Sequence, residues 1–141
     1  MNVAIGHNEL VRLRDTLSAE ALAELRDSRL LDRAREALRM HDAPRALSLA
    51  QAALLLDADD ARALYLIGMA CLRMGQRADA LAAFERALLE DPHYWVSAVE
   101  LAKLHAEAGD VATARGYLAL LTGEPDVPCD VLHAVAKYVT S

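Results

Sequence analysis

Apolar side chains between residues 61 and 92 recur at the spacing of a helix. Leu64, Ile67 and Cys71 lie three or four residues apart, which places them on one helix face. The same spacing returns after a short polar stretch, at Ala80, Phe84, Ala87 and Leu88. This segment is therefore predicted to form two consecutive amphipathic helices.

The residues between and after these helices indicate where each one ends. Gly75 is predicted to end the first helix, because glycine takes the left-handed cap conformation without a side-chain clash. Asp91-Pro92 is predicted to end the second, since proline lacks the amide and disfavours helix at the preceding residue. The short connection makes the two helices antiparallel neighbours, and the small residues Gly68 and Ala80 let their backbones approach.

This helix pair has a copy on each side, displaced by about 34 residues. The downstream copy contains Ala98, Leu101, Ala102, His105, Gly109, Ala114, Leu118 and Leu121. The upstream copy contains Leu30, Ala34, Ala37, Ala46, Ala50 and Ala53. In that copy Arg33 replaces a large apolar residue and His41-Asp42 replaces the turn glycine, although Pro44 suits the start of its second helix. Three helical hairpins are predicted, at about residues 27–60, 61–94 and 95–128.

The central hairpin resembles a tetratricopeptide (TPR) repeat. The residues that carry this resemblance are Leu64, Ile67, Gly68, Cys71, Gly75, Ala80, Phe84, Ala87 and Pro92. The resemblance implies an all-α fold, in which a right-handed superhelical stack of three TPR hairpins presents a concave wall that binds other proteins.

Two flanking segments complete the predicted domain organisation. Residues 1–26 carry apolar residues at broadly helical spacing and form an N-terminal segment of one or two helices. Residues 129–141 form a final amphipathic helix with Val131, Leu132, Val135 and Val139 on its apolar face. A stack of repeats needs such a terminal cap, so this helix is expected to cover the apolar flank of the third hairpin.

The TPR resemblance also implies which side chains face the concave groove. In the first hairpin they are Ser28, Leu31, Arg35, Leu38 and Arg39. In the second they are Arg62, Tyr65, Met69, Leu72 and Arg73, and in the third Val96, Val99, Lys103, Ala106 and Glu107, with Tyr94 next to them. Tyr65, Met69 and Leu72 are the expected anchors for an apolar partner, and the basic residues favour a partner that also carries acidic ones.

A second interpretation of the same residues stays possible. The arginines could form a solvated helix face, while Leu31, Leu38, Tyr65 and Leu72 pack against the N-terminal helix or a second copy of the chain. Trp95, the only tryptophan, is expected to pack between successive hairpins rather than to contact a ligand.

Composition excludes several classes of function. The formal net charge of −6 argues against nucleic acid as the main ligand, because phosphate binding needs concentrated Lys and Arg. No apolar stretch reaches the ~18 residues of a membrane span, and no basic-then-apolar signal region begins the chain, so a cytoplasmic protein without membrane insertion is expected.

Catalytic, metal and cofactor chemistry finds little support in the sequence. None of the histidines forms a metal-ligand pair with another, and the two cysteines are too few and too far apart for a zinc site. Cys129 near the start of the last helix is a candidate nucleophile, although the ordinary interpretation of this thiol is favoured. No enzymatic activity, metal or cofactor is predicted.

Size and layout add a further resemblance, to the small TPR chaperones of bacterial type III secretion systems. Those proteins hold translocator or needle subunits unassembled before export, which implies here a groove that binds an apolar or amphipathic peptide segment. The alternative is a constitutive scaffold subunit that docks through its N-terminal helix, and pairing of two copies into a homodimer is left possible by both.

Overall fold

The computed structural model describes residues 6–27 and 29–140. Within these ranges the chain forms nine α-helices and no strand. They are α1 (His7–Thr16), α2 (Ala19–Asp27), α3 (Leu30–Arg39), α4 (Ala43–Leu56), α5 (Ala61–Arg73), α6 (Arg77–Glu90), α7 (Trp95–Glu107), α8 (Val111–Thr122) and α9 (Cys129–Thr140). The predicted all-α fold is confirmed.

Three antiparallel hairpins form the body of the stack. They pair α3 with α4, α5 with α6 and α7 with α8, and each hairpin packs on the next. The two N-terminal helices both lie on α4, and α9 packs against α7 and α8. This is the TPR-like arrangement that the repeated helical pattern indicated.

The turn inside each hairpin uses a residue in the left-handed backbone conformation. Gly75 (φ 76°) and Gly109 (φ 84°) occupy it in the second and third hairpins, and His41 (φ 59°) in the first. Glycine enters this region freely, whereas a β-carbon makes it unfavourable. The Asp42 carboxylate then caps α4 by accepting a hydrogen bond from the backbone N–H of Arg45 at 3.2 Å.

The apolar core has two parts. The larger part runs through α3, α4, α5, α6 and α7, and it also takes Leu10 of α1, which is fully buried. The smaller part lies between α7, α8 and α9, where Val135 and Val139 meet Ala98, Ala102 and Leu121. The last helix therefore covers the apolar flank of the third hairpin, as expected for the terminal cap of a stack.

Candidate functional site

The first helices of the three hairpins, α3, α5 and α7, bear most of the side chains that the sequence assigned to a groove. Partly buried among them are Leu31, Tyr65, Met69, Leu72, Tyr94, Val96, Val99, Lys103 and Ala106. Exposed among them are Arg35, Arg39, Arg62, Arg73 and Glu107. Ser28 lies outside the described residues. Two depressions bring subsets of these side chains together.

One depression lies between α5, α7 and α9, and we call it the α7–α9 niche. It has a volume of about 270 Å³ and is lined by Tyr65, Trp95, Val96, Val99, Glu100, Lys103, Val131, Ala134 and Val135. Four of the predicted groove residues meet here, namely Tyr65, Val96, Val99 and Lys103. Most of the other lining side chains are apolar, so the niche has the form of a pocket for an apolar side chain.

Sequence reasoning missed about half of this niche. Glu100 was not assigned to the groove, although it follows Val96 and Val99 by one turn or less on the same helix. Val131 and Val135 of α9 were assigned only a capping role and Ala134 was assigned none, yet all three line the niche. Trp95 both packs against the smaller core and lines the niche, so its expected packing role does not keep it out of the groove.

Tyr65 links the niche to the interior of the stack. Its ring centroid lies 5.7 Å from that of Phe84 and 5.7 Å from that of Tyr94. Burial, with a further contribution from the charge of Glu100, raises the pKa of Tyr65 to about 12. The aromatic contacts hold this side chain in place, which suits an anchor surface that must keep its shape.

The second depression lies between α2, α3, α4 and α5 and has a volume of about 290 Å³. It contains three predicted groove residues, Leu31, Arg35 and Arg62. The arginines are not free here: Arg35 pairs with Asp32 at 3.2 Å, and Arg62 pairs with Asp60 at 3.0 Å. The hydrogen bond from Arg62 to Asp60 also raises the pKa of the guanidinium.

The other two groove arginines are also engaged within the chain. Arg39 forms an ion pair with Glu36, one helical turn earlier. Arg73 donates a hydrogen bond from Nη1 to the backbone oxygen of Leu38 at 2.6 Å, joining α5 to α3. The groove therefore has less uncompensated positive charge than the sequence suggested, because Arg35, Arg39 and Arg62 pair with carboxylates. The partner of Arg73 is a neutral carbonyl, which leaves its charge uncompensated.

Leu38 was predicted to face the groove, but the structure places it in the core. Its side chain is only 7% exposed and belongs to the larger core, so it offers almost no surface to a partner. Met69 and Leu72 are partly buried and also pack against that core. Of the three expected anchors, Tyr65 alone lines the α7–α9 niche.

A polar contact fixes α9 beside α7 at one end of the niche. Glu107 accepts a hydrogen bond from the Tyr138 hydroxyl of α9 and pairs through its other oxygen with Arg77 of α6. These two hydrogen bonds lower the pKa of Glu107, with the one from Tyr138 contributing most. Glu107, predicted as a groove residue, thus acts as a link between three helices.

The described residues bring together no group of three or more potential metal-ligating side chains. Cys129 is exposed at the start of α9, and no described histidine is hydrogen-bonded to it. Cys71 is buried, and burial raises its pKa to about 11. Within the described part of the chain, no helix has the length and apolar character needed to cross a membrane.

Comparison with known proteins agrees with this architecture. Residues 61–94, which form the central hairpin, match the model of the tetratricopeptide repeat family. None of the curated proteins matches the sequence significantly.

Two solved structures share the fold across nearly the whole chain. One is the type III secretion translocator chaperone SycD of Yersinia enterocolitica, with 19% identity, a TM-score of 0.72, and coverage of 98% of this chain and 93% of that one. The other is SycD in complex with a peptide of the translocator YopD, with 18% identity, a TM-score of 0.70, and coverage of 89% and 96%. At these identities the likeness establishes the fold. The predicted resemblance to TPR proteins and to type III secretion chaperones is confirmed at that level.

Proposed function

We propose that the protein is a non-catalytic chaperone or adaptor of a bacterial secretion system, which binds an apolar or amphipathic segment of a protein partner in the groove. The observation that carries this proposal is the α7–α9 niche, an apolar pocket on a fold shared with a chaperone that has been solved with a translocator peptide. Because an export substrate is held before secretion, this proposal also implies that the protein lies in the cytoplasm.

The physical basis is the burial of apolar surface. Val96 and Val99 are partly exposed on α7, and Ala134 is exposed on α9, so a partner side chain entering the niche removes their surface from water. Each large apolar side chain that becomes fully buried contributes roughly 1.5–3 kcal/mol. A segment with two or three such anchors would be kept from associating with itself or with other subunits.

Capture of partners from a lysate of the source organism tests the proposal. Val96→Glu and Ala134→Glu place a charge in the niche at positions that are not fully buried, so both variants should fold. Val111→Glu and Ala112→Glu are the matched controls, because both residues are exposed on α8 and neither lines the niche.

Wild type and both controls should capture the same stoichiometric partner, and both niche variants should lose it. Circular dichroism and thermal melting establish that all four variants are folded. If the niche variants retain the partner, the α7–α9 niche is not its binding site.

The scaffold alternative places the partner on the N-terminal helices. There Leu10 is buried against α4 and His7 pairs with Asp59 at 3.1 Å, whereas Leu13 is 48% exposed. Leu13→Glu therefore tests this surface without disturbing the buried contact. Loss of the partner in this variant, with retention in the niche variants, would favour the scaffold. Pairing of two copies stays a prediction, to be tested by sedimentation of wild type and Leu13→Glu.

A further inference from the structure

Two opposite charges on α7 face the α7–α9 niche. Glu100 and Lys103 both line it, and they lie three residues apart on one helix. Side chains at this spacing have β-carbons about 5–6 Å apart and can pair with each other. Both are partly buried, which makes an unmatched charge more costly than it would be on the open surface.

These two side chains do not pair in the structure. No ion pair or side-chain hydrogen bond joins Glu100 or Lys103 to any other described residue. The contrast with α3 is direct, because Arg35 and Asp32 have the same spacing and form an ion pair at 3.2 Å. The niche therefore holds an unpaired carboxylate and an unpaired ammonium group one turn apart.

The surroundings of Glu100 do not compensate its charge. Burial raises the pKa of Glu100, and the nearby positive charge of Lys103 does not offset this effect. Glu107 adds a like charge on the same helix, and the neighbouring rings are those of Tyr65 on α5 and Tyr138 on α9. A cation supplied by a partner would therefore stabilise the charged form of Glu100.

We propose that the α7–α9 niche selects its partner by charge order: an apolar side chain fills the niche while a basic group of the same segment pairs with Glu100 and an acidic group pairs with Lys103. This inference rests on the proposed function and adds the chemistry of the bound segment. Charges in a largely apolar pocket contribute to specificity and orientation more than to raw affinity. The segment would therefore be held in one direction along the groove.

Selection from a library of short random peptides displayed on phage tests the charge order without knowledge of the natural partner. The central variant is the double exchange Glu100→Lys/Lys103→Glu, which preserves composition and net charge and reverses only the order of the two groups. Glu90→Lys is the control, since Glu90 is an exposed carboxylate on α6 outside the niche. Val96→Glu is the variant with a blocked niche.

Wild type and Glu90→Lys should enrich peptides in which a basic and an acidic residue flank an apolar anchor in one order. The double exchange should enrich the reverse order, and chosen peptides should bind their own variant at least about tenfold more tightly than the other. If wild type and the double exchange enrich peptides that have apolar anchors and the same order of charged residues, the charge-order inference is wrong. The proposed binding of apolar segments in the groove would not be affected by that result. No enrichment of wild type over Val96→Glu would instead contradict peptide binding in the niche itself.

Discussion

The ring of Phe84 lies directly against the backbone of Gly68. A β-carbon built at position 68 would be 2.6 Å from Cε1 of that ring and 2.8 Å from Cδ1. Phe84 is fully buried in the larger core, so its ring would have to shift among packed side chains to admit that β-carbon. The close approach of these two helices, which positions Tyr65 at the niche, therefore depends on the absence of a side chain at residue 68.

Gly68→Ala should destabilise the protein. Overpacking of a core typically destabilises a protein by ~1–3 kcal/mol. Replacing a helical glycine by alanine stabilises the helix by about 1 kcal/mol, which offsets part of this cost. We expect a net loss of about 1 kcal/mol, measured by urea unfolding. Gly116→Ala is the control: Gly116 lies in α8 with nothing within 4 Å of its virtual β-carbon, and it should be neutral or stabilising.

The double variant Gly68→Ala/Phe84→Leu makes this prediction more specific. A smaller side chain at residue 84 removes the clash, so the two substitutions together should cost less than the sum of their separate effects. Additive losses would mean that the contact between the two residues is not the cause.

His41→Gly should stabilise the first hairpin. His41 has a φ of 59°, in the left-handed region that Gly75 and Gly109 occupy without strain in the other two hairpins. A side chain in this conformation costs about 1–2 kcal/mol, which the substitution by glycine removes. The greater conformational freedom of glycine in the unfolded chain offsets part of this stabilisation. We expect an increase of about 0.5–1 kcal/mol in the free energy of unfolding.

The reciprocal variant Gly75→Ala supplies the matched comparison. Nothing lies within 4 Å of a β-carbon at Gly75, so any loss of stability there comes from the backbone conformation at φ 76°. A loss in Gly75→Ala together with a gain in His41→Gly would support the shared cause. A loss in both would contradict it.

Glu107→Gln should loosen α9 in a pH-dependent way. The hydrogen bonds from Tyr138 and Arg77 lower the pKa of Glu107 in the folded protein from its ordinary value of 4.5. A carboxylate whose pKa is lowered on folding stabilises the fold at pH values above its ordinary pKa. This stabilisation is lost as the pH falls through the pKa of the folded protein. The side chain is 38% exposed, so solvent screens the effect and the change should be small.

Thermal melting of wild type and Glu107→Gln, measured from neutral pH down to pH values below 4.5, tests the prediction. Wild type should melt higher at neutral pH, and the difference should shrink as the pH falls below 4.5. Amide hydrogen exchange should locate the loss of protection in α9. Glu90→Gln, at an exposed position, should leave both readouts unchanged.

Trp95 should report occupation of the niche. It is the only tryptophan of the chain and lines the α7–α9 niche while only partly buried. A bound apolar segment removes water from the indole, so its emission should move to shorter wavelength when the captured partner is added. Val96→Glu should abolish this shift, whereas a shift that persists in that variant would place the partner elsewhere.

The two cysteines should differ strongly in reactivity. Cys129 is exposed, whereas Cys71 is fully buried and burial raises its pKa to about 11. The thiolate is the form that iodoacetamide attacks, so native protein should be alkylated at Cys129 alone. Mass spectrometry after a short labelling pulse checks this result, and Cys71 should react only once urea unfolds the chain.

Much of the fold could be predicted because hairpins depend on local patterns. The spacing of Leu64, Ile67 and Cys71 predicts a buried helix face, and Gly75 predicts a left-handed turn, from a few neighbouring residues each. The structure shows these three apolar residues buried and Gly75 at a positive φ. Repetition of the pattern then predicted the stacked arrangement, since a single hairpin cannot bury its apolar face.

The candidate site could be predicted only in part. Arg35 and Asp32 are three residues apart, so their pairing was accessible from helical spacing, and it would have corrected the expected charge of the groove. The burial of Leu38 depends on how α3 meets its neighbours, which spacing alone does not specify.

The sequence by itself therefore determined the helices, their turns and the repeated hairpins, because these follow from periodicity and backbone preference along a few residues. Only the tertiary structure decided that α9 lies beside α7, that Tyr65 and Val131 line one niche, and that Glu100 faces it unpaired. The physical reason is that a pocket is formed by side chains distant along the chain. Their distances and charges depend on how whole helices pack, and local patterns carry little information about that packing.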